Sequence, residues 1–107
     1  MIDKWDIYTN ALNFYGIESQ KVMLVEEVGE LLNALAKFRR ERATGRDVIT
    51  ELADVSIMVE QMAVVFGKEQ YEREKERKLE RLKYRLSDKK EMPYDESQMF
   101  DGNYRFK

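Results

Sequence analysis

The chain contains no cysteine and no histidine among its 107 residues. The absence of cysteine excludes disulfides, thiol catalysis and zinc–thiolate sites. The absence of histidine excludes a Ser-His-Asp triad, a histidine general base and a histidine-bound zinc. A metal bound by this chain must therefore be held by oxygen atoms, which favours Mg²⁺ or Mn²⁺.

A strong net charge and long apolar runs are also absent. The formal net charge is -2, so no general positive field exists and bulk nucleic-acid binding is not expected. No run of eighteen apolar residues occurs, and Asp3, Lys4 and Asp6 interrupt the N-terminal segment. We therefore expect no membrane span, no signal peptide and a cytoplasmic location.

The pattern of apolar residues predicts an all-α fold of four helices, with no strand pattern anywhere. Asp3 and Asp47 are typical helix caps, and Gly16, Thr44-Gly45 and Gly67 are typical of helix ends. The expected helices cover residues 3–15, 19–43, 47–66 and 68–86. Residues 1–87 are predicted to form one helical domain, followed by a tail of residues 88–107.

The tail is polar but contains more large apolar side chains than flexible tails usually have. We therefore expect it to dock on its own core or on a partner subunit. Its apolar residues are Met92, Tyr94, Met99, Phe100, Tyr104 and Phe106.

The third predicted helix is apolar over much of its circumference, which is typical of a helix buried on several sides. A thin, charged fourth helix cannot cover it alone. The sequence therefore predicts a homodimer or homotetramer that completes a helical bundle.

Two acidic clusters, Glu26–Glu30 and Glu51–Asp54, lie on the second and third predicted helices. Acidic helix residues are usually solvated, and the first cluster alone is typical of a polar face. Glu51 differs because it stands within an apolar stripe that includes Met58 and Met62. A buried carboxylate without a partner costs several kcal/mol. Either a metal or a cation such as Lys37, Arg39 or Arg40 removes that cost.

The two helices resemble those of the MazG-like all-α nucleoside triphosphate pyrophosphohydrolases, in the short form of bacteria and phages. The similar segments are VEEVGELLNALAKFRR and ITELADVSIMVEQMAVVFG, preceded by ALNFYGIESQ. The resemblance covers roughly residues 11–86 and rests on E-E-x-x-E paired with E-x-x-D. It implies that NTP and water give NMP and pyrophosphate, with Mg²⁺ bound by Glu27, Glu30, Glu51 and Asp54.

With no histidine available, a carboxylate is the expected general base. The catalytic candidates are Glu26, Glu27 and Glu30, with Glu26 or Glu30 as the proton acceptor. Candidates for phosphate binding are Lys37, Lys78 and Arg81, although cations on the fourth helix are more often simply solvated. Candidates for base binding are Trp5, Tyr8, Gln20 and Asn33, whose aromatic members could equally be core residues.

Three alternatives remain open from the sequence. The first is a related enzyme, such as a phosphoribosyl-ATP pyrophosphatase or a dUTPase-like enzyme. The second is a non-catalytic helical interaction module in which the acidic residues are structural. A ferritin-like di-iron protein is disfavoured because that fold uses Glu-x-x-His ligands.

Overall fold

The computed structural model describes residues 1–87, which form four α-helices and no strand. This confirms the predicted all-α class. The helices are α1 (Lys4–Tyr15), α2 (Ile17–Arg39), α3 (Gly45–Phe66) and α4 (Lys68–Ser87). The expected docking of the tail concerns residues outside the described part of the chain.

A single glycine separates α1 from α2. Asp3 caps α1, as predicted, because its side chain accepts hydrogen bonds from the backbone N–H groups of Trp5 and Asp6 at 3.1 and 3.2 Å. Gly16 ends α1 with a φ of +91°, a conformation that a side chain would strain. The helix α2 begins at the next residue, so its predicted start at residue 19 was too late.

The end of α2 is a turn that bends the chain back on itself. The predicted end at residue 43 was wrong because the helix stops at Arg39 and Glu41 adopts a left-handed φ of 60°. The Arg42 N–H donates to the Lys37 carbonyl at 2.8 Å, and the Glu41 N–H donates to the Phe38 carbonyl at 2.9 Å. These two bonds form a Schellman motif, which satisfies the last carbonyls of the helix.

The helix α3 begins with a capping box. The Thr44 hydroxyl accepts from the Asp47 N–H at 3.2 Å, and the Asp47 carboxylate accepts from the Thr44 N–H at 2.8 Å. Thr44 therefore starts α3, so the predictions that Thr44-Gly45 closes α2 and that Asp47 is the cap were wrong. The predicted end at Gly67 is confirmed, since its N–H donates to the Ala63 carbonyl at 2.8 Å.

The core lies among α1, α2 and α3, within a compact unit that spans Met1–Lys68. Gln20 on α2 pairs with Gln61 on α3 near one end of the helix pair. Asn33 and Asp47 line a common pocket near the other end, so α2 and α3 run antiparallel. The buried residues of the helices are Tyr8, Leu12, Gln20, Ala34, Gly45, Met58, Gln61, Met62 and Ala63.

Of the described residues, those from Glu69 to Ser87, which lie in α4, belong to a second unit. Within α4, Glu74 forms ion pairs with Arg77 and with Lys78, the latter at 4.0 Å. Leu79, Leu82 and other apolar residues of α4 are exposed. None of the helices formed by residues 1–87 is long and apolar enough to cross a membrane. The predicted domain boundary after residue 87 stays a prediction.

Candidate metal centre

The antiparallel packing of α2 and α3 brings the two acidic clusters together. One carboxylate oxygen from each of Glu27, Glu51 and Asp54 lies within 4.8 Å of the other two. Glu30 borders this group, because its charge contributes to the raised pKa of both Glu27 and Glu51. The face-to-face arrangement of the four carboxylates therefore agrees with the spacing in the sequence.

Two of these carboxylates carry buried oxygen atoms without partners. Glu27 Oε2 and Glu51 Oε2 are both inaccessible to solvent and accept no hydrogen bond in the structure. Among the described residues, no lysine or arginine forms an ion pair with Glu51. The sequence left open a structural ion pair with Lys37, Arg39 or Arg40, and residues 1–87 do not contain one.

Crowding of the carboxylates changes their protonation. The pKa of Glu27 is raised, first by burial of its side chain and then by the charges of Glu30 and Asp54. The pKa of Glu51 is raised for the same reasons, in the same order. Without a cation the cluster therefore binds protons more readily than isolated glutamates do.

The arrangement fits a hard divalent cation. All the available donors are carboxylate oxygens, the ligand type that Mg²⁺ and Mn²⁺ prefer. Two oxygens on opposite sides of Mg²⁺ lie about 4.2 Å apart, twice the Mg–O distance of about 2.1 Å. The oxygens of Glu27, Glu51 and Asp54 all lie within 4.8 Å of one another, an upper limit close to that value, so small side-chain movements suffice to close the site. A cation would also supply the partner that the buried oxygens of Glu27 and Glu51 lack.

An open pocket of about 410 Å³ adjoins the cluster at the corner where α2 ends and α3 begins. Glu51 belongs to both the cluster and the pocket, and Glu30, which borders the cluster, also lines the pocket, so the two form one continuous site. We call this cavity the corner pocket. Besides Glu30 and Glu51, it is lined by Asn33, Ala34, Lys37, Arg42, Ala43, Asp47 and Thr50.

The other predicted site residues divide into those that line the corner pocket and those that lie outside its lining. Lys37 and Asn33 line the corner pocket, beside the predicted metal ligands. Glu26 is exposed, and it belongs neither to the oxygen cluster nor to the pocket lining. Its predicted role as a proton acceptor in catalysis stays a prediction.

Three residues predicted to bind the base lie elsewhere. Tyr8 is buried and donates a hydrogen bond to Glu60 at 2.9 Å. Burial first, and then this hydrogen bond, raise the pKa of Tyr8 to about 12. Trp5 packs edge-on against Tyr8, and the Lys68 ammonium lies 4.5 Å from the centre of the Trp5 ring. Gln20 is buried against Gln61. The structure does not bring these three residues to the corner pocket, so their assignment stays a prediction.

The two predicted phosphate-binding residues of α4 belong to the second unit. Lys78 lies 4.0 Å from Glu74, and Arg81 also interacts electrostatically with Glu74. Their assignment stays a prediction.

Sequence reasoning missed Arg42 and Thr50, which line the corner pocket. Thr50 lies one residue before the E-x-x-D motif, and its side chain falls on the same face as Asp47 and Asp54. The spacing of Thr50 from Asp47 and Asp54 could have indicated that Thr50 belongs to the site. Arg42 carries no comparable signal because it lies in the turn after α2, whose path the helical pattern does not define.

No protein-family model, curated protein or solved structure matches this chain. The resemblance to MazG-like enzymes therefore rests on the segments quoted above alone.

Proposed function

We propose that this protein is a Mg²⁺-dependent nucleoside triphosphate pyrophosphohydrolase. The observation that carries the proposal is the pair of buried, unpartnered oxygens on Glu27 and Glu51 within a cluster of carboxylates. Burying such groups costs stability, and a site that binds a cation explains why the fold retains them. The adjoining corner pocket, with its exposed lysine and arginine, offers room for phosphates beside that cation.

The proposed reaction is attack by water on the α-phosphorus of the triphosphate. The bond from the α-phosphorus to the bridging oxygen breaks, and pyrophosphate leaves with that oxygen. A divalent cation held by Glu27, Glu30, Glu51 and Asp54 supplies charge neutralisation for the phosphates and acidifies water. The chain contributes a carboxylate, Glu30 or Glu26, that accepts the proton of the attacking water.

The expected product pattern distinguishes this activity from related ones. A panel of ribo- and deoxyribonucleoside triphosphates is incubated with the full-length protein and Mg²⁺, and the products are separated by ion-exchange chromatography. We expect one monophosphate and one pyrophosphate per substrate consumed, and no turnover after chelation. Phosphoribosyl-ATP is included because the related pyrophosphatase is the main alternative within enzymes. Absence of turnover on every substrate would favour the non-catalytic interaction module.

We also propose that the protein is a homodimer or homotetramer. Large apolar side chains on three helices face solvent in the single chain, among them Phe14 with 81% exposure, Val25 with 72% and Phe66 with 72%. Exposed apolar surface of this kind is typical of an interface between copies. We expect light scattering after gel filtration to give twice or four times the chain mass of 12.8 kDa. A monomer at micromolar concentration would contradict this proposal.

A further inference from the structure

The corner pocket has the chemistry of a phosphate site and lacks that of a nucleobase site. Its described lining contains no aromatic residue, whereas base pockets commonly offer an aromatic or apolar slot. It contains instead a lysine, an arginine, an amide and a hydroxyl: Lys37, Arg42, Asn33 and Thr50. Such donors bind phosphate oxygens, and the arginine fork can bind two oxygens at once.

The path of the backbone explains why two positively charged side chains, those of Lys37 and Arg42, line the same pocket. The Schellman motif that ends α2 returns the chain over its last turn, so that the Arg42 N–H bonds to the Lys37 carbonyl. The side chains of these two residues then line the same pocket although they lie on different parts of the turn. Among the described residues, neither forms an ion pair within 4.0 Å.

The charges of the corner pocket make anion binding dependent on a metal. Glu30, Asp47 and Glu51 place three carboxylates against the two cations. The Asp47 carboxylate is engaged by Thr44, which lowers its pKa, and Lys37 lowers that pKa further. A phosphate therefore meets a net negative lining until a divalent cation neutralises the carboxylates beside it.

We infer that the corner pocket binds the two terminal phosphates of the substrate, which depart as pyrophosphate, and that Arg42 and Lys37 hold them. This inference rests on the proposed function for the position of the α-phosphate at the carboxylate cluster. It restricts the substrate class to compounds that carry a terminal pyrophosphoryl group. A nucleoside diphosphate has only one phosphate beyond the α-phosphate to offer Arg42 and Lys37, so it is a poor substrate whatever its base.

Binding of inorganic pyrophosphate tests the inference without turnover. Isothermal titration of the full-length protein with pyrophosphate and Mg²⁺ is expected to show binding that disappears in a chelator. Arg42→Gln and Lys37→Gln each weaken binding about tenfold or more, as expected for loss of a charge-assisted hydrogen bond. Arg42→Lys retains the charge but not the fork, and gives an intermediate loss. The matched control is Arg39→Gln, which removes an exposed arginine outside the pocket lining.

The outcomes separate this inference from the proposed function. If the wild-type protein binds no pyrophosphate, or if Arg39→Gln weakens binding as much as Arg42→Gln does, the pyrophosphate site is wrong. If triphosphates are hydrolysed while Arg42→Gln and Lys37→Gln bind pyrophosphate normally, the proposed function survives and this inference fails. If the binding pattern holds but no triphosphate is hydrolysed, the site stands and the reaction is different. In an active enzyme, Arg42→Gln is also expected to reduce the preference for triphosphate over diphosphate.

Discussion

Replacing Glu51 by glutamine is expected to lower pyrophosphohydrolase turnover by at least about a hundredfold. Glutamine has nearly the same shape, but it removes one negative ligand and places an amide nitrogen where oxygen donors converge. A metal site contributes several kcal/mol to transition-state stabilisation, and each 1.4 kcal/mol or so is about tenfold in rate. Asp54→Asn is expected to have a similar effect, since an Asp54 oxygen belongs to the same group. Steady-state release of pyrophosphate at saturating Mg²⁺ measures both.

The control for this prediction is Glu18→Gln on α2. Glu18 is exposed and pairs with Lys21 at 3.0 Å, near the start of the helix and outside the corner pocket. Its replacement removes the same charge from the same helix pair, and turnover is expected to stay within about twofold, since such surface pairs contribute little. Full hydrolysis by a Glu51→Gln, Asp54→Asn double variant would show that the site is assigned to the wrong residues.

The second large effect is that Mg²⁺ reverses the order of thermal stability between the wild type and Glu51→Gln. In a chelator, Glu51→Gln is expected to melt at a higher temperature than the wild type, because it removes a crowded and partly buried charge. With Mg²⁺ the order reverses, since only the wild type keeps the full ligand set. Binding at one hundred times Kd adds about 2.7 kcal/mol to the free energy of unfolding. Thermal unfolding followed by circular dichroism, with and without Mg²⁺, measures both states.

The pH dependence of the metal-free protein has a definite sign. The pKa values of Glu27 and Glu51 are raised in the folded state above the ordinary value of 4.5. As pH rises above 4.5, the unfolded chain releases these protons first, so the free energy of unfolding falls until the folded carboxyls ionise as well. Glu51→Gln is expected to flatten this fall. A wild-type protein whose stability in chelator rises over this range would contradict the crowding of the carboxylates.

The sequence pattern was sufficient to predict the helices, and the resemblance to MazG-like enzymes implied that the carboxylates converge. Periodicity defined the four helices, and Asp3, Gly16 and Gly67 act at their ends as predicted. Glu51 stood out because it interrupts an apolar stripe, and its buried oxygen agrees with that observation. These features are local, or they follow from the packing of two long helices, so a single sequence contains enough information for them.

The corner between α2 and α3 could not be predicted in the same way. Glu41, Arg42 and Ala43 are ordinary helix formers, so their intrinsic propensity favours continuation of α2. The helix ends because Glu41 adopts a left-handed conformation, which the sequence does not announce by a glycine. Thr44 was misjudged for the same reason, since a capping threonine is recognisable only when the preceding helix is known to have stopped. Arg42 was missed as a consequence of this error.

The capping box at Thr44 and Asp47 fixes more than the first residue of α3. From that start, each added residue rotates a helical side chain by about 100°, so the distance from the cap determines which side Glu51 faces. An insertion in the turn before Thr44 leaves the helix phase intact, whereas a one-residue insertion between Asp47 and Glu51 rotates both downstream carboxylates by about 100° away from α2. The carboxylate cluster is therefore tolerant of changes in loop length and intolerant of changes in helical phase, which limits where related chains can vary in length.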